Sequence, residues 1–182
     1  KSAGLILSGS FHDQESYFGL KTYDGRQNSF YGSLIYMSII NTTNHKWKTG
    51  IDLRYDDYKE SYLSDPYNRV ETVPGIYAEY TLNVREKFGL VAGSRVDHHN
   101  EWGWFYTPRL HLKYNFTENI IVRVSGGRSF RTANVFSDNI SIMATSRNLV
   151  ITEELQPERA WNFGSNFTAK FRWFYRPGSI SF

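Results

Sequence analysis

Hydrophobic and polar residues alternate along this chain with a period of two, in one run after another. A β-strand sends successive side chains to opposite faces, so each run reads as a strand with one oily and one polar side. The plainest run is Lys46–Tyr58, where Trp47, Thr49, Ile51, Leu53 and Tyr55 oppose Lys48, Asp52, Arg54 and Asp56. Ile120–Arg131 repeats the pattern, with Ile120, Val122, Val124, Gly126 and Phe130 against Arg123, Ser125, Gly127, Ser129 and Arg131. Similar alternation predicts strands over Ala3–Phe11, Gly75–Val84, Phe88–His98, Trp104–Phe116 and Glu158–Arg172. Ser29–Asn41 is apolar on both sides, which predicts packing inside as well as outside. The count is about eight strands. Between them, His12–Asn28, Lys59–Thr72 and Thr132–Leu155 read as longer polar loops, and Thr42–His45, Arg85–Lys87 and Thr117–Asn119 as short turns.

Such alternation has two physical meanings. In a soluble β-sandwich or lipocalin-like barrel the charged side is the solvated outside; in a transmembrane barrel it faces the lumen and the apolar side faces lipid. Two regularities favour the membrane. Long and short connections alternate, as they do where short turns sit at one rim and longer loops at the other. Aromatic residues gather near strand ends (Trp47, Tyr55, Trp104, Tyr106, Tyr114, Phe116, Trp161 and Trp173), the placement of an interfacial girdle.

Composition agrees. The 182 residues include 13 Tyr, 13 Phe and 5 Trp, yet mean hydropathy is only −0.51, as expected of strands oily on one side only. A net charge of +3 without a Lys/Arg run gives no reason to expect a nucleic-acid partner. With no cysteine there is no disulfide, thiolate nucleophile or Cys-based zinc site. No apolar run reaches the ~18–20 residues of a membrane helix, whereas barrel strands need only ~9–11. No signal peptide is legible at the start, where KSAGLILSGSFHDQ already reads as strand.

PRLHLKY (108–114), a short turn, RVSGGRSFR (123–131), a long loop and LQPERAWNFG (155–164) together resemble the barrel of TonB-dependent outer-membrane receptors. Pro108, Leu110, Tyr114, Arg123, Ser125, Gly127, Phe130, Arg131, Leu155, Pro157, Glu158, Trp161 and Asn162 carry the likeness; Ser129 departs from it, standing where that family usually has a second glycine. The resemblance implies an all-β fold: an antiparallel meander forming an open segment of a larger transmembrane β-barrel across residues 1–182, without the plug domain. Barrels of about 22 strands have their lumen filled by such a plug. It implies localisation in a Gram-negative-type outer membrane and import of a ferric chelate, a vitamin or a glycan. Implied partners are outer-membrane lipid, the plug, the remaining barrel strands and the TonB energy-coupling protein acting through a segment not in this chain. A complete eight-stranded barrel of structural or adhesive role, or a soluble ligand-binding β-barrel, is the alternative. Closure would discriminate the former, pairing Ala3–Phe11 with Glu158–Arg172; the expectation is that both stay unpaired edges.

The chemistry is thin. Lys48, Asp52, Arg54, Asp56, Glu79, Arg95, Asp97, Arg109, His111, Lys113, Arg123 and Arg131 fall on polar sides, where charges of opposite sign on neighbouring strands can neutralise one another. Arg54, Arg95, Asp97, Arg109, Arg123, Arg131 and Asn134 are the ligand- or lumen-lining candidates, the last in a loop long enough to be functional. His98-His99 with Glu101 reads as solvated rim rather than a metal site, because adjacent strand residues point to opposite faces. SGGRS is no phosphate loop; its glycines read as room for neighbouring backbone or a lumen element. Asp56-Asp57 and Glu153-Glu154 are adjacent pairs, unlike glycosidase carboxylates, and read as rim or loop. Nothing argues for catalysis, a cofactor or a bound metal.

Overall fold

The computed structural model describes residues 1–85, 87–145, 147, 151 and 155–182, with the backbone alone at Trp173. The chain forms one antiparallel sheet: β1 (Ser2–Phe18), β2 (Lys21–Ile39), β3 (His45–Tyr62), the two-residue β4 (Asp65–Pro66), β5 (Arg69–Val84), β6 (Phe88–His99), β7 (Gly103–Asn115), β8 (Ile120–Arg131), β9 (Glu158–Trp173) and β10 (Arg176–Ser181). Spatial order follows chain order, except that β4 folds back to pair antiparallel with the end of β3 and lies off the main path. Two single-turn helices, α1 (Val135–Asp138) and α2 (Ile140–Met143), interrupt the connection from β8 to β9.

The sheet is inside-out for a soluble protein. Asp52, Asp56, Glu60, Glu71, Asp97 and His99 are buried, while Ile51, Val124, Trp104 and Phe163 are exposed, the last at 80%. The pairings set Trp47, Ile51, Leu53, Leu110, Leu112, Val122, Val124 and Phe163 on one side of the sheet, the side expected to meet lipid. They are not gathered into a central core, which removes the soluble barrel. Ser33, Asp52, Gly75, Asp97 and Phe105 are aligned across successive strands on the other, concave side.

Several expectations need correction. His12–Asn28 is no loop: β1 and β2 continue in register from Phe11↔Asn28 to Phe18↔Lys21 and turn through Gly19 and Leu20. Lys59–Thr72 likewise belongs to β3, β4 and β5. The regular alternation of loop lengths therefore disappears, leaving one long connection at 132–157. The reason is physical. β1, β2 and β3 have 17, 19 and 18 residues, against the ~9–11 a bilayer requires. Beyond the bilayer both sides are wet, so the ladder goes on after its period-two signature has gone. At the far edge, Glu158–Arg172 is not the last strand: β8 pairs with its Glu158–Ala169, and β10 adds a hairpin strand along Thr168–Trp173. Among the described residues β1 pairs only with β2 and β10 only with β9, so the first and last strands share no ladder. Glu153-Glu154, Ser146 and Asn148 lie outside the described residues, as do Glu86 in its turn and the Trp173 ring of the expected girdle.

Candidate functional site

The concave face holds a cavity of about 680 Å³ to which β2, β3, β5, β6, β7 and β8 all contribute, from Tyr31 to Thr132. At its centre Arg95 bridges two strands. Its Nη1 and Nη2 each donate to Asp52 at 2.7 Å, while Nε and Nη2 donate to Asp97 at 2.8 and 2.5 Å. Side chains of Asp52 and Asp97 are 1% and 2% exposed, and Arg95 is 36% exposed. One fork thus neutralises part of two carboxylates that would be costly to bury alone. The bridge needs Gly75 between them: a Cβ there would lie 2.7 Å from Arg95 Nη2 and 2.9 Å from Asp52 Oδ1, and closer still to Asp97 Oδ1. Around this centre Arg54 approaches Asp56 at 3.4 Å, and Glu79 accepts from Arg109 with Lys48 at 3.8 Å.

A second cluster sits above, towards the β1–β2 hairpin. Glu60 accepts from the Tyr23 hydroxyl at 2.7 Å and from Arg69, whose guanidinium lies 3.8 Å from the Tyr58 ring centroid. Arg69 Nε also donates to Glu71 at 3.1 Å. Burial, then the bond to Glu60, pushes the Tyr23 phenol well above its ordinary pKa, so it stays a neutral donor. His99 is the correction here: it is fully buried, not solvated rim. Its Nδ1 accepts from the Glu101 amide at 3.2 Å and its Nε2 lies 3.5 Å from Glu71. His98 points the other way and meets Trp104 at 4.7 Å between ring centroids.

The described residues of the 132–157 connection fold back over this cluster. Phe136 and Met143 are buried against Tyr23 and Tyr62, with Phe136 4.9 Å from Tyr67 between ring centroids. Lys21 Nζ donates to the carbonyls of Thr145 and Arg147 at 2.7 and 2.5 Å, and Arg131 grips Asp138 at 3.0 Å. A strap anchored on β8 and β9 is thereby tied to β2 and β3. Phe136→Ala removes a fully buried ring worth about 1.5–3 kcal/mol. The expected result is faster amide exchange and proteolysis within 132–157, with the ladders of β5–β8 unchanged.

Of the seven candidate residues, Arg54, Arg95, Asp97, Arg109 and Arg131 line the large cavity together. Arg123 does not; it lies lower, bonding Asn166 at 3.1 Å. Asn134 is held in the strap, its backbone N–H donating to Asp138 at 3.2 Å. Asp56, read as rim, is buried and accepts from Ser29 at 2.5 Å. Tyr23, Tyr62, Glu60 and Glu71 were not foreseen, because their stretches carry no alternation; the turn-forming Gly19 was the available clue. Gly127 lets backbone approach as expected, a Cβ there meeting the Pro108 carbonyl at 3.0 Å.

An antiparallel sheet that exposes its apolar side and lines its concave side with paired charges is the wall of a transmembrane-type β-barrel. Among the described residues no helix is long and apolar enough to cross a membrane, which says nothing of crossing by strands. The family model "TonB dependent receptor-like, beta-barrel" matches residues 3–182, and the chain belongs to that family. Similar solved structures include the siderophore receptor PirA from Pseudomonas aeruginosa, 16% identical with a TM-score of 0.63, matched over 98% of this chain and 38% of that one. PirA from Acinetobacter baumannii is 14% identical, TM-score 0.60, over 88% of this chain and 26% of that one. The ferric enterobactin receptor PfeA from P. aeruginosa, in a mutant form, is 13% identical, TM-score 0.59, with the same coverage of 88% and 26%. The chain therefore spans well under half the length of these receptors. No curated protein matches it.

Proposed function

We propose that this chain forms part of the barrel wall of an energy-coupled outer-membrane receptor that imports a ferric chelate. One observation carries the reading: the concave face of an inside-out sheet encloses a cavity whose lining holds six cationic side chains (Lys48, Arg54, Arg95, Arg109, Arg128, Arg131) against two acidic ones (Asp52, Asp97). Such a surface attracts anions into a low-dielectric enclosure, and anionic ferric chelates fit it better than neutral vitamins or glycans. The relatives are titled siderophore and ferric enterobactin receptors, which supports the same class. Arg54, Arg95, Arg109 and Arg131 line the passage; Asp52, Asp97 and Glu79 hold the guanidiniums in place. A plug domain, the remaining strands and the TonB protein are the partners this reading requires.

Uptake of radio-iron by cells bearing or lacking the complete receptor tests it. With the receptor, uptake of at least one anionic ferric chelate is saturable and stops when the proton-motive force is collapsed. Uptake unchanged by deletion across a panel of chelates, alongside receptor-dependent uptake of a vitamin or glycan, would refute the ferric assignment.

A further inference from the structure

The wall treats charge differently in its upper and lower halves. Above, Lys48, Arg54, Arg69, Arg95, Arg109 and Arg131 each reach a carboxylate of this chain. Below, the β7–β8 ladder runs from Arg109↔Gly127 down to Asn115↔Ile121 and sets Lys113 directly opposite Arg123. (Past its upper end Phe130 leaves its expected lipid side and stacks on Phe105, with ring centroids 3.9 Å apart.) Directly opposed residues hold their Cβ atoms about 4.5–5.5 Å apart, close enough for like charges to destabilise the pairing. None of the ion pairs among the described residues includes Lys113 or Arg123. Arg123 donates only to the neutral Asn166 amide oxygen, at 3.1 Å, which holds the guanidinium in place without neutralising it.

The hollow of about 450 Å³ beside this pair is lined by His111, Lys113 and Arg123 and by no acid. There is room because the neighbouring concave positions are small: Gly89 pairs with Lys113, Ser125 with His111 and Gly164 with Ser125. Open water would hydrate both cations and ease their repulsion. A large receptor barrel, however, has its lumen filled by protein. That filling strips the water away and leaves two neighbouring cations uncompensated, which is the costly arrangement. A passing anionic chelate is no remedy, because the repulsion persists whenever cargo is absent. The counter-charge has to be resident, and a carboxylate, with two acceptor oxygens, takes a donor from each cation.

We propose that Lys113 and Arg123 anchor the domain that fills the lumen, taking one Asp or Glu side chain of that domain into the hollow. The inference rests on the barrel reading above. In the complete, cargo-free receptor a zero-length carbodiimide couples Lys113 to a carboxylate of the lumen-filling domain, and peptide mass spectrometry locates the link. Lys48 and Glu79, 3.8 Å apart within this chain, couple in the same sample and serve as the internal control. In planar bilayers, urea that extracts the domain opens a conductance, and K113Q/R123Q opens at a concentration about 1 M lower than wild type. That gap narrows in about 1 M salt, while R26Q, on the β1–β2 hairpin, opens with wild type. Lys113 left unlinked while Lys48 and Glu79 couple, the result expected if passing cargo were the sole counter-ion, overturns the proposal without any variant having to fold. Coupling of Lys113 only to Glu118 of the neighbouring turn, or an unchanged urea onset in K113Q/R123Q, overturns it as well. A receptor with no heat-modifiable mobility overturns the barrel reading and this one together; a heat-modifiable receptor with Lys113 unlinked overturns this one alone.

Discussion

Val122→Arg in the complete receptor depletes the membrane-embedded, heat-modifiable form, whereas Ser125→Arg, three residues on, leaves most of it in place. Both residues sit within β8, so strand propensity and position along the chain barely separate them. Side does. Val122 pairs with Tyr114 and Phe167 on the apolar face; Ser125 pairs with His111 and Gly164 on the concave one. An Arg facing lipid near the midplane costs about 2–4 kcal/mol. At position 125 the new cation enters a water-accessible hollow of about 450 Å³ beside Lys113 and Arg123, where like-charge repulsion costs under about 1 kcal/mol. Leu112→Arg, opposite Val124, behaves like Val122→Arg. Quantifying folded receptor in isolated outer membranes by electrophoretic shift reads all three, and equal depletion by the two β8 variants would reverse the assignment of faces.

The second large effect is at Arg95. Arg95→Ala strands two almost fully buried carboxylates, Asp52 and Asp97, that are paired through it alone among the described residues. Removing one partner of a buried pair costs about 3–5 kcal/mol; the partial exposure of the guanidinium reduces this to about 2–4 kcal/mol. Asp52→Asn with Asp97→Asn in the same background removes the stranded charges and restores much of the loss. Gly75→Ala reaches the same end by another route, its methyl displacing the fork rather than deleting it. Denaturant unfolding of the reconstituted receptor measures these changes, and a triple variant no more stable than R95A would show that charge stranding is not the cause.

How far the sequence could be read depended on the solvent beside each strand. β8 was legible to the residue, Ile120–Arg131, because lipid on one side and water on the other write opposite chemistries at alternate positions. The same contrast puts Arg54, Arg95, Asp97, Arg109 and Arg131 on one face from the sequence pattern alone. It failed for His12–Asn28, where neither side meets lipid and both faces turn polar. His99 failed differently. Its burial comes from packing beside Phe105 and Glu71, residues brought together by ladder register, which no local window contains. Phe136 gave no signal either, since one aromatic in a polar loop reveals nothing of the tyrosines it will meet on β2 and β3. The closing strand β10 was missed because its turn, Phe174-Tyr175, has positive φ at both positions but neither of the glycine or asparagine residues that usually announce such a turn.

The meander also dictates an assembly order. Every ladder joins strands adjacent in the chain, apart from the β4 insertion between β3 and β5, so most hairpins can zip from their own turns without waiting for distant segments. The exception is β8 with β9. Bringing their ends together across residues 132–157 rather than across a turn such as 40–44 adds about 1.5 kcal/mol of chain-closure entropy, from the logarithmic growth with loop length. By that measure the β8–β9 ladder is expected to be the slowest of the sheet to zip, after the local hairpins of β1–β8.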